Sequence, residues 1–599
     1  MAKIEDLIAQ IPVERLRKGI ASEVKALKKS KKFGLVFEEH LPETVRLPLV
    51  PVRAGDLVAL KKESGNQLWR VTSIRKEIAT CDRAVQGYSE AKDANREFPV
   101  ADLVMVRNFG DPIYPALVPV DRVERGGPDK PWHVLINADN FHALQLLLYC
   151  YEGKVDVIYI DPPYNTGARD WKYNNDYVDK NDAFRHSKWL SMVKKRLTLA
   201  RRLLRPDGVL IVTIDDHELS HLLCLIEELF QGFKLFTIVI EHNKRGRQGE
   251  EFARSHEYAL FVVPKGENII GEEPLASTIG GETRNLRRTG NNSLRAARPG
   301  QFYPIYVNER TLEITGFGEP LPKQGKRHGT KVGSSIPIWP LDKQGVERNW
   351  HYGSGRAKKE FEAGKVFAAR QNYGIQIYYT LKEKQSKRWK TVWSKPPLDA
   401  STYGSELLTD ILGGPSGFSY PKSVYAVCEA LMPIMISRKT ALVLDFFAGS
   451  GTTFHATALL NAEDEGERRC ILVTNNEVNE KLSGELNAKG LFSGDEDYER
   501  HGIADSVTWP RCKYIVAGKR DSGTNLPGTY LNGRELKDGF EESIEYFHLD
   551  FLDPAEVARG DAFQAILPIL WMMAGCQGAQ EDSKGSQPWF IPSTHRLLC

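Results

Sequence analysis

The stretch Val155-Asp-Val-Ile-Tyr-Ile160, running straight into Asp161-Pro162-Pro163-Tyr164-Asn-Thr-Gly167, decides how the rest of this chain is read. The first six residues form a nearly continuous apolar run. Such a run marks a strand buried on both faces of a parallel sheet. In open α/β sheets, ligands bind beyond the carboxyl ends of such strands. Each proline lacks an N–H, fixes its own φ and holds the residue before it extended. Asp161 and Pro162 should therefore leave the strand with carbonyls that no local turn claims. A turn with an incidental Asp and Tyr is the bland alternative. The strand context and the continuation Asn165-Thr166-Gly167 argue against it.

A rigid loop with one carboxylate, one or two free carbonyls and an aromatic ring suits an amino group on a flat heterocycle. The lone pair of an exocyclic amine such as adenine N6 is delocalised into the ring. Accepting both its hydrogens, at the Asp161 carboxylate and the Pro162 carbonyl, frees that lone pair, and the charged acceptor contributes more. Tyr164 can stack on the base. A base inside a duplex must first be flipped out, at a cost of a few kcal/mol.

Working outward, residues 132–264 alternate strand and helix. HVLIN (133–137), GVLIVTID (208–215), LFTIVIE (235–241) and YALFVVP (258–264) read as strands; Phe141–Tyr151, Trp189–Leu204 and His217–Phe230 read as helices. Residues 265–414 lose this periodicity. They are rich in Gly, basic residues and aromatics, including Arg284, Arg287, Arg288, Arg295 and Arg298. The composition suits a DNA-reading surface, although Trp339, Trp350 and Tyr352 read better as the insert's own small core. Alternation then returns, with a helix at Ser423–Ile436, a strand at 440–447, a helix at Thr452–Leu460 and a strand at 470–476.

The second motif is Asp445-Phe-Phe447-Ala-Gly449-Ser450-Gly451-Thr452-Thr453, again between a strand and a helix. Gly449 and Gly451 permit positive φ and close approach of a ligand. Thr452 or Thr453 can cap the next helix, whose amides attract a carboxylate. There is no Lys for a phosphate loop and no third glycine of the dinucleotide fingerprint. Glu477, at the tip of the following strand, can take ribose hydroxyls or can simply be a solvated strand end.

These residues resemble the β-group amino-methyltransferases of DNA, and more closely the modification subunits of type III restriction–modification systems. The resemblance spans about residues 132–550. It is carried by VIYIDPPYNTG (157–167), RLLRPDGVLIVTIDDHE (202–218), FSYPKS (418–423) and VLDFFAGSGTTFHATALLNAEDEGERRCILVTNNE (443–477). It implies an α/β fold, a permuted Rossmann-like S-adenosyl-L-methionine-dependent methyltransferase with an inserted target-recognition domain. By resemblance, Asp139 and Asn140 lie beside the cofactor. Phe418 and Lys422 lie in the segment covering its methionine end, and Phe447, Ser450 and Thr452 line its turn. Asp161, where N4-cytosine enzymes more often carry Ser, favours adenine N6. N4-cytosine, RNA methylation or a non-catalytic DNA-recognition subunit are the competing readings. The implied partners are double-stranded DNA, a restriction or helicase/nuclease subunit and a second copy of the chain.

The expected organisation is a helical segment 1–44, a small β-barrel-like domain 45–125, the catalytic half 126–264, the target-recognition domain 265–414, the cofactor-binding half 415–480 and a C-terminal region 481–599 suited to oligomerisation or partner contact. The first segment carries an apolar stripe (Leu7, Ile8, Ile11, Val13, Leu16) and a basic run, Lys25–Lys32. About 125 residues precede the first α/β strand, which departs from the family pattern. The ending STHRLLC (593–599) reads as a truncated frame. The 599 residues carry a net charge of only +3, so global basicity does not announce nucleic acid. The eight cysteines form no CxxC pair, and no secretory or membrane segment is legible. That fits a bacterial or archaeal cytoplasm. No residues show metal-ligand spacing, and His256, beside Glu257, reads as structural rather than catalytic.

Overall fold

The computed structural model describes residues 13–20, 37, 44–47, 51–62, 67–84, 95–108, 114–173, 176–244, 246, 251–266, 268–274, 283–371, 374–380, 386–552, 557 and 563–579. They fall into two compact units: Met1–Gly271 with Lys390–Cys599, and Glu272–Trp389. Most of the expected N-terminal stripe, the basic run and the STHRLLC ending lie outside the described residues.

The first unit is organised by one ten-stranded sheet. Its strands are β1 (Pro115–Glu124), β2 (His133–Asn137), β3 (Val155–Ile160), β4 (Leu204–Ile214), β5 (Phe233–Glu241), β6 (His256–Pro264), β7 (Val392–Trp393), β8 (Leu442–Asp445), β9 (Arg469–Thr474) and β10 (Ser543–Phe551). They lie in the order β7-β5-β6-β4-β3-β8-β9-β2-β10-β1. The run from β4 to β10 is parallel throughout; β6 and β1 join it antiparallel. Every residue of β2, β3 and β8 is buried, which is why these segments read as nearly unbroken apolar runs. The one charged side chain in β3 is a pin. Asp156 accepts from the Leu442 amide (2.9 Å) and from Arg438 (3.1 Å), fixing β8 beside β3.

The helices that matter for the site are α1 (Asn140–Tyr151), α2 (Arg185–Leu203), α3 (Leu219–Leu229), α4 (Val424–Met435), α5 (Thr452–Asp464) and α6 (Trp509–Ala517). From β3 the chain passes through α2 to β4 on one side. From β8 it passes through α5 to β9 on the other. Neighbouring strands β3 and β8 therefore send their connections in opposite directions. The loops after them, which begin at Asp161 and just past Asp445, diverge at a topological switch point. Ligand crevices open at such points.

Two expectations change. Pro115–Glu124, expected within the N-terminal domain, pairs along its length with β10 and completes the large sheet. The remaining N-terminal strands form a six-stranded antiparallel sheet, from Thr44–Leu47 at one edge to Arg96–Pro99 at the other. No pairing closes those edges among the described residues, so the sheet is open where a barrel was expected. Its core is Val58, Trp69, Val71, Ala79, Cys81 and Leu103. The C-terminal helix Phe563–Met573, with Pro568 inside it, sends Trp571 and Met572 into the main core. Among the described residues no helix is long and apolar enough to cross a membrane.

The second unit has its own core around Tyr303, Trp350 and Ile377. Trp350 donates its indole N–H to the Tyr303 carbonyl at 2.7 Å. Its strands are only two to seven residues long, too short to leave a period in the sequence. Several of its arginines are internal fasteners. Arg287 bonds the Leu341 carbonyl, Arg288 the His351 carbonyl at 3.3 Å, and Arg295 pairs with Glu347 at 2.9 Å. Arg298 is exposed. We expect Trp350→Ala to destabilise this unit by about 3–5 kcal/mol. Faster proteolysis within 272–389, with the remainder of the chain intact, would show it.

Candidate active site

Asp161 leaves β3 beside β4, and its Oδ1 is fixed from two sides. Thr213 donates its hydroxyl at 2.6 Å and the Lys422 ammonium lies 3.1 Å away. Among the described residues Oδ2 has no hydrogen-bond partner, and neither has the Pro162 carbonyl. The Pro163 carbonyl is taken by the Trp189 indole N–H at 2.6 Å, which fastens the loop to α2. Tyr164 donates its hydroxyl to Glu257 Oε2 at 2.9 Å and accepts from Lys422 at 2.6 Å. Burial, with the charges of Asp161 and Glu257, raises that phenol well above its ordinary range. Asn165 follows with a φ of 57°, an uncommon conformation for a residue with a side chain. Its amide is held by Glu218 at 2.5 Å and by the Trp171 indole N–H at 3.0 Å.

The Asp445 loop is built from its rear. The carboxylate accepts from the Phe447 amide (2.9 Å) and the Thr453 hydroxyl (2.5 Å), tying strand end to helix start. Gly451 has φ 78° and is the N-cap of α5, which has no side-chain cap. Thr452 and Thr453 are its first residues, so neither does the capping expected of them. Arg511 of α6, fully buried, donates to the Ser450 carbonyl (3.3 Å), the Ser450 hydroxyl (3.0 Å) and the Thr452 hydroxyl (2.8 Å). The Thr508 hydroxyl takes the Gly449 carbonyl at 2.5 Å. The hydroxyls of Ser450 and Thr452 thus point into the protein. Among the described residues the amides of Gly449 and Ser450 donate to nothing. A Cβ at Gly449, which has φ 49°, would come within 2.9 Å of the Phe418 ring, so that ring lies directly against the loop. Phe447 packs on Phe446 with centroids 5.4 Å apart.

Burial pushes the Asp445 carboxyl up to about 7, and the charge of Asp161 adds to this against the bonds from Thr453 and Phe447. The folded state therefore keeps this proton to higher pH than the unfolded chain, whose carboxyl titrates near 3.8. Stability from this group is lost as pH rises from about 4 to about 7. Asp445→Asn removes that loss. Urea melts at pH 5 and pH 8 should show a smaller difference in the variant than in the wild type; an equal difference would count against it.

Asp139 and Asn140 sit where β2 gives way to α1. Asp139 caps that helix through the Phe141 amide at 2.9 Å, and Asn140 donates to the Phe446 carbonyl at 2.9 Å. Arg196 of α2 holds both, pairing with Asp139 at 3.3 Å and bonding Asn140 Oδ1. Glu477 lies just beyond β9, half-buried, its carbonyl accepting from the Ile503 amide at 3.0 Å. Asp139, Asp161 and Glu477 thus follow β2, β3 and β9, and Asp445 ends β8, four neighbouring strands at one carboxyl edge. Lys422, expected with the methionine-covering segment, has its ammonium on Asp161, Tyr164 and Glu257.

Residues 155–497, more than half of the chain, match the sequence profile of the DNA methylase family of N6/N4 methyltransferases. The chain belongs to that family. It is 30% identical over 390 residues to the EcoPI Mod subunit, a type III restriction-modification enzyme of Escherichia phage P1, covering 58% of each chain. It is 31% identical over 352 residues to the type II methyltransferase M.KpnI of Klebsiella pneumoniae, covering 56% of this chain and 79% of that one. It is 28% identical over 386 residues to the StyLTI Mod subunit of Salmonella typhimurium, covering 60% of this chain and 54% of that one. The chain thus spans little more than half the length of the two type III relatives.

Within this chain the supporting residues belong to no motif. Arg196 and Arg511 are buried arginines on helices, and a helical Arg reads as solvated. Glu257 is an acid inside an apolar strand, a signal that marks burial but not its partner. His186, Glu218 and His221 converge although His186 lies 32 residues from Glu218. Their candidate ligand atoms fall within 4.8 Å of one another. The two His Nδ1 atoms lie 2.5 and 2.8 Å from the Glu218 oxygens, and Glu218 Oε1 also accepts from the Asn165 side-chain amide at 2.5 Å.

Proposed function

We propose that this methylase transfers a methyl group from S-adenosyl-L-methionine to N6 of a flipped-out adenine in double-stranded DNA, as the modification arm of a restriction–modification or related defence system. The observation that carries the reading is the open acceptor pair, Asp161 Oδ2 and the Pro162 carbonyl, at the switch point beside a glycine turn with unclaimed amides. The cofactor suits that turn. Two free N–H groups and a helix N-terminus match its carboxylate, and the contact between Gly449 and Phe418 leaves room only for a residue without a side chain.

When bound, S-adenosyl-L-methionine supplies an electrophilic methyl group on a sulfonium. Everything else falls to the chain. Asp161 and Pro162 accept the two amine hydrogens and free the nitrogen lone pair. Thr213 and Lys422 hold the carboxylate still, so little reorganisation is needed during transfer. Tyr164, anchored at its hydroxyl, presents its ring to the base. The exposed cations of the Glu272–Trp389 unit are candidates for phosphate contact and target reading. Similarity to Mod subunits supports a restriction subunit as partner, and a second copy of the chain is proposed with it.

The test is transfer of labelled methyl groups to duplex DNA, followed by digestion to nucleosides. Label in N6-methyladenine is expected. Label in N4-methylcytosine would overturn the base assignment, and no label would overturn the activity. Sequencing modified bases in an expressing host would map the target site.

A further inference from the structure

Glu257 does more than fill a strand. Its side chain is 4% exposed against 26% for Asp161. Its Oε2 accepts from Lys422 Nζ at 2.9 Å and from the Tyr164 hydroxyl at 2.9 Å. The same ammonium lies 3.1 Å from Asp161 Oδ1 and 4.6 Å from the centre of the Tyr164 ring. One cation is thus shared by two carboxylates. Antiparallel pairing of β6 with β4 makes this possible, because it brings the start of β6 to the edge where β3 and β4 end. Burial alone would drive Lys422 towards neutrality, but the two carboxylates hold its ammonium charged well above the ordinary range. Lys422 in turn holds the Glu257 carboxylate ionised against its burial.

We propose, resting on the methyl-transfer reading above, that Glu257 is a positioning residue that takes up the charge of Lys422 so that Asp161 remains an effective anion towards the target amine. With Glu257 the three side chains sum to −1; without it Lys422 and Asp161 cancel. The sum matters because of where charge moves. The amine lone pair forms the N–C bond as the C–S bond breaks. The sulfonium becomes a neutral thioether, and the positive charge passes to nitrogen. One N–H proton then leaves, to Asp161 Oδ2 or to water, giving the neutral methylated amine. A net anion fixed beside that nitrogen favours the transition state over the ground state, when the amine is still neutral.

The experiment uses the full chain and a duplex carrying the site mapped in the expressing host. Glu257→Gln preserves shape and removes the charge. We expect kcat to fall about 10- to 100-fold, with KM for cofactor and DNA within about twofold. The fluorescence of 2-aminopurine at the target position, which reports base flipping, should be unchanged. Glu257→Gln combined with Lys422→Met restores the −1 sum on Asp161 and should recover at least tenfold over Glu257→Gln alone. Wild-type turnover in Glu257→Gln, a loss confined to KM or to flipping, or a double variant no faster than the single one would overturn the proposal. Should Glu257→Gln fail to fold, Glu257→Asp, which keeps the charge, must turn over within about tenfold of wild type, or the charge argument fails. Absence of adenine methylation by the wild type would instead sink the underlying reading.

Discussion

Asp161→Ala should lower kcat for the proposed methyl transfer by about a thousandfold, the upper range for removing one preorganised electrostatic group from a site. Three losses coincide. The open Oδ2 acceptor disappears, and with it the charge-assisted bond that frees the amine lone pair. The Thr213 hydroxyl, now 2.6 Å from Oδ1, loses its acceptor. Lys422 remains paired with Glu257 alone, so the site becomes neutral where positive charge develops. DNA affinity should change little, because phosphate contacts supply most of it. Single-turnover kinetics with saturating DNA and cofactor separate these effects. Asp161→Asn, which keeps an oxygen but no charge, should fall between wild type and Asp161→Ala. A loss of less than about tenfold in Asp161→Ala would mean that another group activates the amine.

The second large effect is on the cofactor turn and comes from behind it. Arg511 is fully buried, and among the described residues it makes no ion pair. Its donors go instead to the Ser450 carbonyl, two hydroxyls and His455 Nδ1 at 3.2 Å. Burial brings its guanidinium down to about 10, still charged at neutral pH. Burial and the nearby guanidinium keep His455 neutral, well below its ordinary range. Arg511→Ala therefore opens a cavity and strands several buried acceptors. Together these cost about 3–5 kcal/mol. The Ser450 carbonyl then has no internal donor, and the turn loses the geometry that leaves its own amides free. We expect a clear drop in melting temperature and cofactor binding weakened by tenfold or more, read by calorimetry in the absence of DNA. Arg511→Lys should rescue little, since one ammonium cannot reach the acceptors that the planar fork spans. Unchanged cofactor affinity in either variant would show that the turn holds its shape alone.

Both loops are visible from sequence, while the residues that brace them are not. The Asp161 loop announces itself because proline chemistry is local: a missing N–H and a fixed φ act on neighbouring residues wherever the chain goes. The glycine turn is legible for the same reason, since positive φ is a property of one residue. The Thr452/Thr453 cap is a local inference too, and it fails because Gly451 is the N-cap and both threonines already lie inside the helix, where the Thr453 hydroxyl donates to Asp445 and that of Thr452 accepts from Arg511. The arginine-rich insert shows the same limit. Its composition suggests a DNA surface, yet Arg287, Arg288 and Arg295 bind the unit's own backbone and carboxylates, a use that exposes no difference in sequence.

By itself, the sequence determined the strands buried on both faces, the two loops at their carboxyl ends and the order in which those loops occur, because strand burial and turn geometry follow from neighbouring residues. Only the tertiary structure decided which charges meet. Asp161 shares Lys422 with Glu257, two positions 165 residues apart; Arg511 braces a turn 61 residues before it; and Pro115–Glu124 belongs to the large sheet because its partner β10 arrives more than 400 residues later. Coulomb and hydrogen-bond energies depend on distance in space. The pattern along the chain records burial and backbone angle, and it carries no record of which distant residue the fold will bring alongside.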